Sequence, residues 1–486
     1  MTSPLHPLSG FTCRRDFLAR AGGGFGLLAL AELMTRTGAL PRIEASTPSP
    51  LAPKAPHFRA KAKRAVFLFM NGGPSQVDTF DPKPALTRYH GQPYTGDAKV
   101  GSNGRPIGKL MQSPVEFRRH GRSGLEISSL FPHTSRFADD LCVIRSMHAD
   151  TAAHASGCLQ MNSGSIFIGK PCLGAWLSYG LGTDNEELPS FVVMTDPRGG
   201  PIGSASNWSA GYMPAAYQGT LFRSVGSPLL DLATPGGVSE STQRASLDLL
   251  RRLNEEHLES RPGESELAAR IASYETAYRM QASAAEVVDV GRESAATRER
   301  YGLDNPVTAD FGRKCLITRR LLERGVRFVQ LYSGGGHIED TWDGHNDCIG
   351  NHRLHAAETD RPIAALMADL KRTGLWDETV LIWGGEFGRT PMVESNPALG
   401  RSLGRDHHPQ AFTMWMAGGG IKAGLQYGAT DDLGFHVVEN PVHVHEIQAT
   451  ILHCLGFDHE RLTYHHAGRD FRLTDVHGHV VQALLA

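Results

Sequence analysis

The acids and imidazoles that could do chemistry gather in a few short segments of the 486-residue chain. They are Asp343-Gly344-His345, Glu386 with Arg389 three residues on, Asp406-His407-His408, and Thr151 with His154. Carboxylate oxygen together with neutral imidazole nitrogen is a donor set for a divalent ion. Such an ion stabilises charge on an ester oxyanion and lowers the pKa of a bound water. The candidate ligands are Asn71, Asp343, His345, Glu386, Asp406, His407 and His408, for zinc, manganese or calcium, with iron also within reach of the same donors. Arg389 offers a planar fork for an anionic oxygen. Thr151 or a metal-bound water is the candidate nucleophile, and His154 could instead attack or serve as a ligand. The competing reading is that these polar loops only cap strands and helices through backbone bonds, with Thr151 as an N-cap.

What must position these residues is a set of short, uninterrupted apolar runs. Arg64–Met70 ends at Asn71-Gly-Gly-Pro, and further runs occupy 141–144, 191–194, 326–332, 380–383 and 412–416. Runs of this length, closed by Gly, Pro or polar residues, predict parallel strands covered on both faces. Helical periodicity lies between them at 153–161, 311–323, 355–372 and 444–455. The alternation predicts an α/β fold, a doubly wound and mainly parallel sheet. In such sheets ligands bind beyond the carboxyl ends of the strands, which is where the polar segments fall.

Two stretches depart from this alternation. Residues 239–299 are charged and helical, with Leu247, Leu250 and Leu253 on one face, and predict a helical insertion over the core. An ordinary surface helix pair competes there with a lid. Residues 91–125 are rich in Gly and basic side chains and predict an extended surface loop.

The first 45 residues read as a leader. Thr12–Leu18 is T-C-R-R-D-F-L, with Arg14 and Arg15 adjacent, followed by an Ala/Gly/Leu-rich run to Met34 and a Pro-rich exit. A charged start, a short apolar run and a polar exit make a targeting segment, and the paired Arg resembles the twin-arginine (Tat) consensus. The expectation is export through the Tat translocase to the periplasm, leaving a domain over 60–486. No later run reaches the ~20 apolar residues a membrane span needs.

Net charge is -2, which offers nothing for nucleic acid or an anionic membrane surface. The seven cysteines match no zinc spacing, and the compartment would permit a disulfide.

Five strings carry a specific resemblance that runs from the leader to the C-terminus. They are L-F-M-N-G-G-P-S-Q-V-D-T-F-D-P-K-P at 68–84, G-E-F-G-R-T-P at 385–391, G-R-D-H-H-P at 404–409, E-I-Q-A-T-I-L-H at 446–453 and G-R-D-F-R-L-T-D-V-H-G at 468–478. Together they resemble the bacterial Tat-exported family called domain of unknown function 1501. That family is grouped with the alkaline phosphatase and sulfatase superfamily, so the resemblance implies the α/β core of those enzymes and hydrolysis or transfer of phosphate and sulfate esters. It also exposes departures. Asn71 stands where the superfamily has a metal-binding Asp, and Glu386-Phe387 stands where it has Asp-His. The helix that should begin with a nucleophile offers Thr151, His154 and Ser156, and no C-x-P-S-R string is present.

Two functions remain open at this point. One is a metal-dependent hydrolase of phosphate or sulfate esters, acting on a small-molecule or polysaccharide ester. The other is a non-catalytic binding protein of the same fold in the cell envelope.

Overall fold

The computed structural model describes residues 49–95, 108–229, 234, 237–259, 277–281, 283–336, 338–394 and 402–486. The expected leader, with Arg14 and Arg15, lies outside the described residues.

Ser49–Ala486 is one compact unit. All six apolar runs form strands of one nine-stranded sheet. The strands are β1 (Arg64–Met70), β2 (Leu141–His148), β3 (Phe191–Met194), β4 (Thr220–Leu221), β5 (Phe328–Ser333), β6 (Thr379–Gly384), β9 (Phe412–Gly418), β10 (Leu425–Tyr427) and β11 (Val442–His443). The two strands between β6 and β9, β7 (Gly388–Val393) and β8 (Arg405–His408), form a separate hairpin. The sheet order is β10-β2-β9-β6-β1-β5-β3-β4, with β11 also beside β2.

Neighbouring strands run parallel, except that β9 is antiparallel to both β6 and β2. The expectation that the run at 412–416 is parallel like the others is therefore corrected. A parallel return needs a crossover of a dozen residues or more, usually a helix. Among the described residues between β6 and β9, the chain builds only the β7–β8 hairpin, so it re-enters the sheet from the edge it left.

Successive side chains of a strand point to opposite faces. Along β1, Val66, Leu68 and Met70 belong to one apolar layer and Ala65, Phe67 and Phe69 to the other. The first layer is closed by the helices Ala309–Glu323 and Cys348–Thr373. The second is closed by Leu173–Leu181 and Val444–Cys454. Each fully buried Val, Leu, Phe or Met side chain of this kind contributes about 1.5–3 kcal/mol. The two-sided burial accounts for the apolar character of the strands, and the exceptions are bonded: Gln330, inside β5, donates to Asn162 and Tyr332, and Arg145, inside β2, to the Phe80 carbonyl.

Part of the segment 239–299 packs against the core through Met280, Ala284, Val287 and Val290. In contrast, the helix Glu240–Glu259 leaves Leu250 and Leu253 exposed. The expected surface loop at 91–125 contains Phe117–His120, which pairs with Leu125–Ser128 as an antiparallel hairpin. Cys142, Cys158, Cys172, Cys315, Cys348 and Cys454 are all buried free thiols, so the disulfide that the compartment would permit is not formed among them. No described helix is long and apolar enough to cross a membrane.

Candidate metal centre

β1, β2, β5 and β6 release their polar loops at the same edge because they share one direction. Asn71-Gly72-Gly73 follows β1, His154 follows β2, Asp343 and His345 follow β5, and Glu386 follows β6. The β7–β8 hairpin stands over this edge and brings His407, paired opposite Arg389, down from above.

The turn after β1 needs glycine. Gly72 has φ +111°, and a Cβ there would lie 2.5 Å from the backbone nitrogen of Asp343. That close approach lets the Gly72 N–H donate to both oxygens of Glu386, at 3.0 and 3.2 Å. At Gly157, one turn into the helix His154–Ser163, an added Cβ would lie 3.2 Å from the Glu386 Cβ and the Phe387 ring, so glycine lets the helix pack closely on this loop.

Four side chains converge in this setting. His154, Asp343, His345 and His407 place ligand-type atoms within 4.8 Å of one another. Nε2 of His345 lies 2.8 Å from Asp343 Oδ1 and 2.9 Å from Nε2 of His407. Nε2 of His407 is 3.2 Å from the same Oδ1, and Nε2 of His154 is 3.2 Å from Oδ2. Nε2 of His154 is buried and has no hydrogen-bond partner.

Behind two of the rings stand carboxylates. Glu386 Oε1 lies 2.6 Å from Nδ1 of His154, and Glu394 Oε2 takes the Nδ1 of His345 in a short contact. A carboxylate can only accept, so each ring faces an acceptor at both nitrogens, its glutamate at Nδ1 and Asp343 at Nε2; an ion bound between the rings would take the place of the Nε2 proton and leave the proton on Nδ1. A carboxylate behind a histidine in front of an ion is the usual outer support of a metal ligand, because it fixes tautomer and orientation. The donors present therefore fit a divalent ion held by His154, Asp343, His345 and His407.

The electrostatics are those of a closely packed charge cluster. Burial disfavours the Asp343 carboxylate, but Arg389 and the three imidazoles outweigh it and hold its pKa well below the usual range. Burial likewise opposes a charged His154, yet Asp343 and Glu386 raise it to about 9. His345 is raised against burial by Asp343 and Glu394. His407 goes the other way, down to about 3, because burial dominates and the cations of Arg389 and His154 add to it.

The structure does not bring every expected residue to this point. His408 follows His407 on the strand and faces away, with Nε2 2.6 Å from the Phe435 carbonyl and its ring stacked on Phe435. Burial presses its pKa down to about 4. Asn71 donates to the Gly334 carbonyl at 3.3 Å and takes the Cys158 thiol at 3.6 Å, so its carboxamide is spent beneath the cluster. Glu386 acts on His154 and Gly72 rather than on the convergence point. Asp406 joins a second group with His345 and Glu394.

Arg389 is fully buried, and its guanidinium is committed elsewhere than to a free anion. Nε donates to Gly73 O at 3.0 Å, Nη1 to Arg405 O at 3.3 Å, and Nη2 to Gly72 O while lying 2.5 Å from Asp343 Oδ1. The expected role as an oxyanion fork gives way to that of a clamp on Asp343. Thr151 is half-buried, and its hydroxyl accepts from the Ala153 N–H at 3.2 Å. The N-cap position itself belongs to Ala153, and the first helical residue is His154. The helix start that was expected to present a hydroxyl thus presents an imidazole.

Glu394 was not anticipated. It lies at the end of β7, where an acid reads as an ordinary turn residue, and only the hairpin carries it to His345. The hairpin is anchored by a fully buried ion pair, Arg405 Nε to Asp78 Oδ2 at 2.7 Å, with the Ser75 hydroxyl donating to the same oxygen at 2.6 Å.

A family model described as "Protein of unknown function (DUF1501)" matches residues 62–485. The chain belongs to the DUF1501 family. No curated protein matches it. This DUF1501 protein is similar to solved structures at low identity. One is the lipoteichoic acid synthase LtaP from Listeria monocytogenes, at 10% identity and TM-score 0.37, covering 84% of this chain and 77% of that one. A second is the alkaline phosphatase from the Antarctic bacterium TAB5, at 11% identity and TM-score 0.35, covering 82% and 99%. A third is the PsFucS1 sulfatase from Pseudoalteromonas sp., at 12% identity and TM-score 0.34, covering 91% and 72%.

Proposed function

We propose that this DUF1501 protein is a Tat-exported, periplasmic hydrolase of phosphate or sulfate esters that depends on a divalent metal. The observation that carries the reading is the pair of buried carboxylate–imidazole units, Glu386–His154 and Glu394–His345, both directed at Asp343. Ion pairs that serve stability alone do not need two imidazoles, each backed by its own carboxylate, with their Nε2 atoms brought to one further carboxylate. Three imidazoles with one carboxylate favour zinc, manganese or iron over calcium, which takes an all-oxygen shell. Such an ion, when bound, polarises an ester oxygen and makes a water molecule more acidic.

The chain's own residues set the stage. Glu386 and Glu394 fix the rings, Arg389 keeps Asp343 ionised, and burial keeps His407 neutral. The nucleophile in this reading is water, because Thr151 is engaged in its own turn.

A second reading, a metal-binding protein without turnover, rests on the helix start. His154 occupies the place expected for a nucleophilic hydroxyl. Metal analysis of the purified mature protein, followed by a panel of phosphate and sulfate esters with and without chelator, separates them. Metal with chelator-sensitive turnover supports the hydrolase. Metal without turnover on any ester supports the binding protein. Absence of bound metal after reconstitution rejects both.

A further inference from the structure

One buried side chain joins the turn after β1 to the start of β7. Gln76 opens the short helix Gln76–Thr79 and is 1% exposed. Its Oε1 accepts from the Arg389 N–H at 2.9 Å, and its Nε2 donates to the Arg389 carbonyl at 2.8 Å. Both backbone groups of one strand residue are thus taken by one carboxamide, as a neighbouring strand would take them. A side chain must accept and donate together to do this. Nε2 also donates to the Gly434 carbonyl at 3.1 Å.

Two glycines show how closely these segments are drawn together. A Cβ on Gly388 would lie 2.3 Å from Gln76 Oε1. A Cβ on Gly434, at φ +75°, would lie 2.6 Å from Val77 Cγ1. Gln76 and Gly388 belong to two separate strings of the sequence, 68–84 and 385–391, and this contact joins them.

The three bonds act on both strands of the β7–β8 hairpin. Arg389 lies opposite His407, and its guanidinium reaches Asp343 Oδ1. Holding the Arg389 backbone therefore fixes the strand that faces His407 and the cation that clamps Asp343. The Arg389 side chain returns to the loop that carries Gln76, at the Gly72 and Gly73 carbonyls. Gly434 precedes Phe435, whose carbonyl and ring hold His408. Neighbouring residues of a strand point opposite ways, so holding His408 on that side turns His407 toward the centre.

We infer that Gln76 is a positioning residue of the metal centre. It sets where His407 and Asp343 stand relative to each other, through Arg389 and Gly434. The inference rests on the metal-centre reading and adds to it a group that supplies no donor to the ion. Without the carboxamide, the Arg389 and Gly434 backbone groups are left buried and unpaired, which is costly. The hairpin then relaxes away from the loop after β1, and His407 moves with it.

The test uses the full-length mature protein, stripped by chelator and titrated with zinc and with cobalt(II). Gln76→Met keeps the length of the side chain and loses all three bonds. Gln76→Glu is the milder change, since it keeps the acceptor for the Arg389 N–H and loses the donors. Circular dichroism checks the fold of each. Both variants should bind zinc about tenfold more weakly than the parent, the lower end of the loss that follows when a ligand's support is removed. The visible spectrum of their cobalt forms should also change, because it reports the geometry of the donors. Asp360→Asn is the control. Asp360 is 2% exposed and accepts from the His133 and Thr134 N–H groups, both at 2.7 Å, so its bonds go elsewhere than to the four donors. It should lower the melting temperature and leave zinc affinity and the cobalt spectrum as in the parent. Parental affinity and spectrum in a folded Gln76 variant overturn the inference alone. So does an equal loss of affinity in Asp360→Asn, which would mark general destabilisation. A parent protein that binds neither ion overturns the metal-centre reading, and this inference with it.

Discussion

His154 Nδ1 lies 2.6 Å from Glu386 Oε1 while its Nε2 lies 3.2 Å from Asp343 Oδ2. One imidazole thus spans two acidic residues that enter from different strand ends. Its outer nitrogen is held by Glu386 and its inner nitrogen is turned to the convergence point.

Glu386→Gln tests that bridge. The amide keeps the size and can still accept from Gly72, but the charge behind His154 is gone. Metal affinity should fall about 10–100-fold. A titration monitored by calorimetry or by a competing chelator dye measures it, and an unchanged affinity would show that His154 is not a ligand.

The pH dependence has a definite sign. His154 is raised from 6.5 to about 9 in the metal-free fold. Its contribution to stability is therefore complete below about pH 6.5 and is lost as pH rises through 9. Asp343 is lowered, so its contribution is present above the unfolded value near 3.8 and is lost as pH falls below it. The Tm of metal-free protein should accordingly decline between pH 6.5 and 9 from the His154 term. A metal must displace the His154 proton, so apparent metal affinity should rise across the same window. Affinity that falls with pH there would reject His154 as a ligand.

The pair Asp78–Arg405 holds the hairpin that carries His407. Both side chains are fully buried. Asp78→Ala leaves the guanidinium uncompensated and should cost about 3–5 kcal/mol by denaturant titration. Metal binding should weaken with it, since the hairpin positions His407 and Glu394. A loss below about 1 kcal/mol, the worth of an exposed pair, would mean that the pair is solvated in solution.

Thr151→Ala removes one local hydrogen bond, Ala153 N to Thr151 Oγ1. Stability should drop by no more than about 1 kcal/mol, and any ester turnover should stay within about twofold of the parent. Abolished turnover in a folded, metal-loaded variant would restore Thr151 as the nucleophile.

Export is tested at Arg14 and Arg15. Changing both to Lys keeps the charge and removes the guanidinium pair, so precursor should accumulate in the cytoplasm of a fractionated cell. Normal periplasmic levels of the Lys–Lys protein would overturn the Tat reading.

The sequence alone determined the sheet and its working edge. Runs such as Arg64–Met70 and 380–383 are buried on both faces, and only uninterrupted apolar sequence satisfies that, so period and length identify the strands. Because those strands are parallel, the polar residues after them share an edge, and Asp343, His345, Glu386 and His407 could be grouped without coordinates. What stayed illegible depended on contacts far apart in the chain. Whether His407 or His408 faces the site is set by the register of Arg405–His408 against Gly388–Val393, because neighbouring residues of a strand point opposite ways. Arg389 looked like an anion fork, but the carbonyls of Gly72, Gly73 and Arg405 engage it. Glu394 had no local signal at all. Tertiary structure alone brings its carboxylate to an imidazole 49 positions away in sequence, and with it the ring orientation that turns Nε2 of His345 toward Asp343.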